Sequence, residues 1–166
     1  MLPPKVIMSP IDFSVHSDEA LKAAADLAAQ FGSALCLVHV VPAIPKLPVS
    51  VSIFNEGEYE QQLHKDAEKR LTQLAEDLRR KALTVTSIVG TANDVGMEIL
   101  RIAEQSSADL IVIATHGMTG WHKLAFGSVT EKVVRLATCP VLVLRAQAEA
   151  PAEEPKKSQQ SVAVAR

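Results

Sequence analysis

The residues with the clearest chemical content lie between Ala114 and Thr130, which read ATHGMTGWHKLAFGSVT. Gly117 has no side chain to hold its backbone away from a phosphate. Gly127 and Ser128 open a helical pattern, so N–H groups left unbonded at the helix start, together with the positive helix end, face whatever lies before them. The hydroxyls of Ser128 and Thr130 add donors. One phosphate group or more would fit this arrangement. A plainer reading uses the same residues: Ser128 with Glu131 three positions on is a capping box, and glycines serve any tight loop. Spacing alone does not separate the two.

Asp12 also has two readings. It follows an apolar run and precedes a serine-rich helix start, where aspartate serves turns and caps. It also stands at the carboxyl end of a strand, where ligands of open parallel sheets are bound. His116 sits beside Gly117 with no nucleophile or second carboxylate placed near it, so a loop hydrogen bond is its simplest role. Lys123 reads as a solvated lysine or a phosphate contact, and Trp121 as a lid or an exposed contact. His39, inside an apolar strand, reads as a core histidine. His16, His64 and His122 show no ligand spacing. Cys36 and Cys139 lie in apolar runs with no CxxC pattern and read as reduced, buried thiols.

The 166 residues suit one domain, with 48% apolar and 22% charged residues. A formal charge of −2 argues against a phosphate-backbone binder, and 4% aromatics argue against a stacking platform for single-stranded nucleic acid. No apolar run approaches the length of a membrane helix, and the N-terminus lacks the features of a signal peptide, which points to the cytoplasm.

Five apolar runs alternate with helical periods. Strands are expected over 6–11, 34–41, 83–89, 109–115 and 140–144. The first helix is expected to start at Ser17 as N-cap, to bury Ala20, Ala24, Leu27, Ala28 and Phe31, and to stop at Gly32. The second spans about 57–82 with a mixed charge face that includes Lys65, Glu68 and Lys69. A turn over Gly90, Thr91, Ala92 and Asn93 leads into the third, which buries Val95, Ile99, Ile102 and Ala103. The fourth starts near Gly127 and turns Val129, Val133, Val134 and Ala137 inward. Strands alternating with helices imply a parallel sheet with right-handed crossovers and helices on both faces. The loop over 42–55 is apolar and either packs on its own domain, folds over the crevice or meets a protein partner. Residues 1–145 form the domain, and 146–166, rich in Ala, Pro, Glu, Lys and Gln, read as a disordered tail.

Three stretches carry a resemblance. VIMSPIDFSVHSDEAL, LCLVHVV and ATHGMTGWHKLAFGSVTEKVVRLATCPVLVL resemble the opening, second-strand and closing signatures of the universal stress protein family, over about residues 6–145. The resemblance implies a five-stranded parallel sheet in the order 3-2-1-4-5 with four helices, of the adenine-nucleotide alpha-hydrolase type. It also implies a homodimer, and pairing of the last strand, Pro140 to Leu144, with its symmetry mate would cover an apolar edge. The family's nucleotide-binding branch carries Gly, two residues, Gly, nine residues, Gly and Ser or Thr. Here Gly117 matches the second glycine, Met118 to Phe126 fill the nine, and Gly127 with Ser128 completes the pattern. Ala114 stands where the first glycine would be. By resemblance, Gly117, Gly127, Ser128, Val129 and Thr130 face phosphates, and Asp12 reaches the ribose or a divalent ion. Pro10, Ile11, Val40 and Ile113 line the adenine, with Val40 offering backbone hydrogen bonds. The implied ligand is ATP, with AMP or ADP as alternatives and Mg accompanying it. A stress-response regulator switched by ATP is the leading expectation, and a nucleotide-independent interaction module of the same fold the alternative. An ATP hydrolase ranks last, because no arginine finger, general base or carboxylate pair is evident in the loop.

Overall fold

Period-two burial along the strands builds two apolar layers from one sheet. Ile7 and Met8, adjacent on the first strand and both fully buried, belong to opposite layers. The computed structural model describes residues 3–44, 56–115 and 127–145. The elements run β1 (Val6–Pro10), α1 (Val15–Phe31), β2 (Ala34–Pro42), α2 (Glu56–Arg80), β3 (Val85–Ala92), α3 (Val95–Gln105), β4 (Leu110–Ala114), α4 (Ser128–Leu136) and β5 (Val141–Leu144). All five strands are parallel, in the order β3-β2-β1-β4-β5, as the sequence implies. Register pairs Met8 with Cys36 on one side and with Ile111 on the other.

Ile7, Leu35, Leu37, Val85 and Val112 meet Leu21, Ala24 and Ala28 of α1 and Leu71, Ala75 and Leu78 of α2. On the other face Met8, Cys36, Val38, Val40, Ile111 and Ile113 meet Ile99, Ile102 and Ala103 of α3 and Val133 of α4. Asp109 Oδ2 accepts from the amides of Lys5 and Val6 at 2.8 and 3.0 Å, tying the starts of β1 and β4 together. Asp94, the N-cap of α3, accepts from Met97 N at 3.1 Å and pairs with Lys132 of α4. On β3, the Arg79 guanidinium donates through Nε and Nη2 to the Val85 carbonyl at 3.1 and 2.7 Å. Thr84 O accepts from Leu35 N across the sheet, so the next carbonyl, that of Val85, faces away from β2.

Four local expectations are corrected. The N-cap of α1 is Ser14, whose Oγ accepts from Ser17 N at 3.2 Å, because Asp12 already turns the chain there. Ser17 is instead buried and donates to the Ser14 carbonyl. Gly90, Thr91 and Ala92 continue β3 rather than turning, and α3 crosses so closely that a Cβ on Gly90 would lie 2.9 Å from Glu98 Oε1. The cap of α3 is thus Asp94. Phe31 and Val134 are exposed, not inward, and Cys139 is only partly buried. Val134 follows the buried Val133, which turns it about 100° away from the core. Among the described residues no helix is long and apolar enough to cross a membrane.

Gly32 ends α1 at φ +68°, as its position after the last apolar repeat predicts, and a Cβ there would meet nothing within 4 Å. Gly32→Ala therefore isolates backbone strain. It is expected to lower stability by about 1 kcal/mol, read as a lower urea midpoint with an unchanged slope.

Candidate functional site

β1 lies between β2 and β4, and the chain leaves it in opposite directions: β2 and β3 build one side, β4 and β5 the other. Such a reversal leaves a crevice at the carboxyl ends of the central strands. A cavity of about 380 Å³ opens there, within the range of small-molecule sites. The end of β1 supplies Pro10, Ile11 and Asp12, β2 supplies Val40, and β4 supplies Ile113 and Ala114. The start of α4 supplies Gly127, Ser128, Val129 and Thr130. These ten are the expected site residues other than Gly117, which lies outside the described residues with His116, Trp121, His122, Lys123, most of the 42–55 loop and the 146–166 segment. Ser17, Val38, His39, Pro42, Val95 and Ile99 also line the cavity and were not expected there. The apolar repeat of α3 marked Val95 and Ile99 as inward-facing, but periodicity cannot separate facing a sheet from facing the space beyond its end.

The start of α4 bears on one of the two readings of its sequence, the capping box. Gly127, not Ser128, is the N-cap, with φ −61° and ψ 151°, and among the described residues no side chain caps the helix. Ser128 is the first helical residue and exposed, so the capping box does not form. Gly127 N donates to Thr115 O at 2.8 Å, and Gly127 O receives the first helical bond, from Glu131 N. The amides of Ser128, Val129 and Thr130 thus head the helix without a side-chain cap. The Thr130 hydroxyl is buried and donates to the Ala114 carbonyl at 2.8 Å, so its proton is committed to joining α4 to β4 and is not offered to a ligand. Ala114 is therefore both cavity wall and anchor for the helix.

The β1–α1 turn is fixed from several sides. Ile11 N donates to Val38 O at 2.7 Å. Asp12 Oδ1 accepts from Ser14 N and Ser14 Oγ at 3.0 and 2.6 Å, so the turn role is realised. Phe13 follows at φ +62°, a left-handed conformation that costs a bulky residue about 1–3 kcal/mol. Its ring lies 4.6 Å from the His39 ring, tilted by 37°, and the Arg70 guanidinium carbon sits 3.9 Å from its centroid. His39 Nδ1 is 2.7 Å from Ile11 O, and since a carbonyl only accepts, Nδ1 carries the proton. Burial pushes the His39 pKa down, the Ile11 hydrogen bond opposes it, and the Arg70 charge adds to the fall. Among the described residues no cluster of three or more His, Cys, Asp or Glu side chains could hold a metal ion.

The model of the universal stress protein family matches residues 4–145. Universal stress protein MJ0531 of Methanocaldococcus jannaschii is 36% identical over 143 residues, covering 85% of this chain and 82% of that protein. The solved structure of the protein MJ0577 from the same organism is 29% identical, with a TM-score of 0.75 over 86% of this chain and 96% of that one. A universal stress protein from Archaeoglobus fulgidus, solved in complex with dAMP, has a TM-score of 0.59 at 21% identity, covering 86% of this chain and 98% of that one.

Thr130→Val keeps the shape of the side chain but removes the bond to Ala114. It is expected to cost about 1–3 kcal/mol in chemical denaturation, the penalty of a buried carbonyl left unpaired. His39 gives a pH prediction. Its native pKa is lowered from 6.5, so the unfolded state takes up the proton first as pH falls. The stability carried by neutral His39 is complete above the unfolded value and is lost as pH drops below it toward the native one. Between about pH 6.5 and 5 the melting temperature should fall less steeply for His39→Asn, whose amide can donate to Ile11 O but does not titrate. Equal slopes for the two proteins would exclude His39 as the titrating group.

Proposed function

This chain belongs to the universal stress protein family, and we propose that it works as a cytoplasmic stress-response regulator that binds ATP in the cavity between β1 and β4. One observation carries the reading: a cavity of suitable size is lined both by apolar strand ends and by a helix start that no described side chain caps. Pro10, Ile11, Val40 and Ile113 would take the flat apolar face of adenine, with Val40 bonding it through its backbone. The amides of Ser128, Val129 and Thr130 and the positive end of α4 would take the phosphates. Gly117 would complete the phosphate cradle from the preceding loop. Asp12 would reach the ribose or a Mg ion brought in with the phosphates, which would screen phosphate charge near the carboxylate. The dAMP held by the Archaeoglobus protein supports an adenine nucleotide as the ligand to test first, with AMP and ADP beside ATP.

Binding, rather than turnover, is the proposed role, because the sequence identifies no arginine finger, general base or carboxylate pair in the loop. The assembly proposed with it is a homodimer. β5 is an outer strand of the sheet with Leu142 exposed, and a second β5 across a two-fold axis would cover it. A second reading, a nucleotide-independent interaction module, rests on Ala114, whose methyl group stands where the family's nucleotide binders have only hydrogen.

The two readings separate in a thermal melt with millimolar Mg-ATP. A ligand at ~100 times its Kd adds about 2.7 kcal/mol to the folded state, and a clear rise in midpoint is expected. Gly127→Phe should abolish the rise while the fold survives, because φ −61° and ψ 151° suit any L-residue and the loss of a glycine N-cap costs only about 1 kcal/mol. No rise, with no nucleotide released from the purified protein by acid, would overturn ATP binding.

A further inference from the structure

We infer that Arg70, on a helix that gives the nucleotide cavity none of its described residues, is a positioning residue for that cavity: stacked on Phe13, it holds the β1–α1 turn in the shape that sets Ile11 and Asp12 in the cavity wall.

Four observations converge. Phe13 occupies the left-handed region at φ +62°, where a bulky side chain stays only if its surroundings hold it. Besides the apolar layer it packs against, its surroundings include the His39 ring, 4.6 Å away, and the Arg70 guanidinium, 3.9 Å from the ring centroid. His39 also holds Ile11 O at 2.7 Å, so it grips the turn on both sides of Asp12, by the carbonyl before it and the ring after it. Finally, Ile11 and Asp12 line the cavity, whereas no residue of α2 does so among the described residues.

Arg70 is exposed, so its contribution to the core is small, yet the ring it covers belongs to the residue next to Asp12. A cation over the Phe13 ring opposes relaxation of the turn to an ordinary negative φ, which would cost the ring its present contacts with Arg70 and His39. The charged and titratable groups that act on His39 are Arg70, Asp12 and His64; burial keeps its own ring toward the neutral form, which donates through Nδ1 and carries no charge to repel the guanidinium. Motion of α2 would in this way alter the grip of a site it does not touch. The effect on affinity rests on the cavity being a nucleotide site; the effect on the turn does not.

The test uses the full chain with Arg70→Met, which keeps a flexible apolar stem, and Arg70→Lys, which keeps a cation over the ring. Two quantities are read: the Kd for Mg-ATP by calorimetry, and, in the ligand-free protein, the Ser14 amide shift and the exchange rate of the His39 Nδ1 proton by NMR. Arg70→Met should weaken binding about fivefold, the size of an exposed cation–π contact, shift Ser14 and speed the His39 exchange. Arg70→Lys should recover most of each change. Unchanged affinity in a wild type that binds would overturn the inference. So would weaker affinity with unmoved Ser14 and His39 signals, since Arg70 would then act elsewhere. If the wild type binds no nucleotide, the proposed ligand fails, and the ligand-free spectra alone decide: moved signals support the clamp on the turn, unmoved ones overturn it.

Discussion

Parallel pairing of β1 on both of its edges is the constraint on which the site depends. Parallel neighbours cannot be joined by a tight hairpin, so each connection crosses a face of the sheet as a helix. With β2 on one side of β1 and β4 on the other, the chain leaves the centre in opposite directions. The cavity lies at the carboxyl ends of β1, β2 and β4, against the start of α4. Its walls are the last apolar residues of strands that must be apolar in any case because both sheet faces are covered. The core and the cavity wall are therefore one stretch of sequence: Ile113 packs with the α3–α4 layer and also faces the cavity.

The helix starts around this space are finished differently. α1 receives the Ser14 side chain and α3 the Asp94 side chain, so an orphan amide in each first turn has a protein partner. α4 begins at Gly127 and receives none among the described residues. A helix that ended loosely in solvent could use water for these amides. This one is held in place by Thr130, whose buried hydroxyl is bonded to the end of β4. The result is a fixed set of donors with a fixed direction, aimed along the same crevice that the apolar strand ends border. Preorganisation of that kind reduces the ordering cost of binding an anion.

Much of this was legible in the sequence and the remainder has identifiable physical reasons. Strands appear as continuous apolar runs because both faces are buried, and ALCLVHVV locates β2 to within a residue. Gly32 marks a helix end because few other residues adopt its φ. Caps are harder, since Ser14 and Ser17 are equivalent by type, and only the Asp12 bonds to Ser14 decide between them. Ser128 reads as a cap in SVTE, but Gly127, itself in an extended conformation, takes that position. The strand-end residues of the site were legible because position after an apolar run implies position at the sheet's edge. The Phe13–His39–Arg70 stack was not, because nothing in the residue types signals a left-handed phenylalanine, and its partners lie on β2 and α2, far away in sequence.

The Arg79 fork over the Val85 carbonyl bears on how such a sheet grows. A parallel sheet has two unlike rims, and copies that add head to tail, β3 of one against β5 of the next, would propagate without end into a fibre. Propagation needs free acceptors at the β3 rim from its first residue. Arg79 already occupies the outward carbonyl there, with two donors in a fork that a passing strand must displace. An incoming strand would therefore meet, at the first residue of this rim, an acceptor already held by a helix of the same chain, which raises the cost of starting such a fibre there.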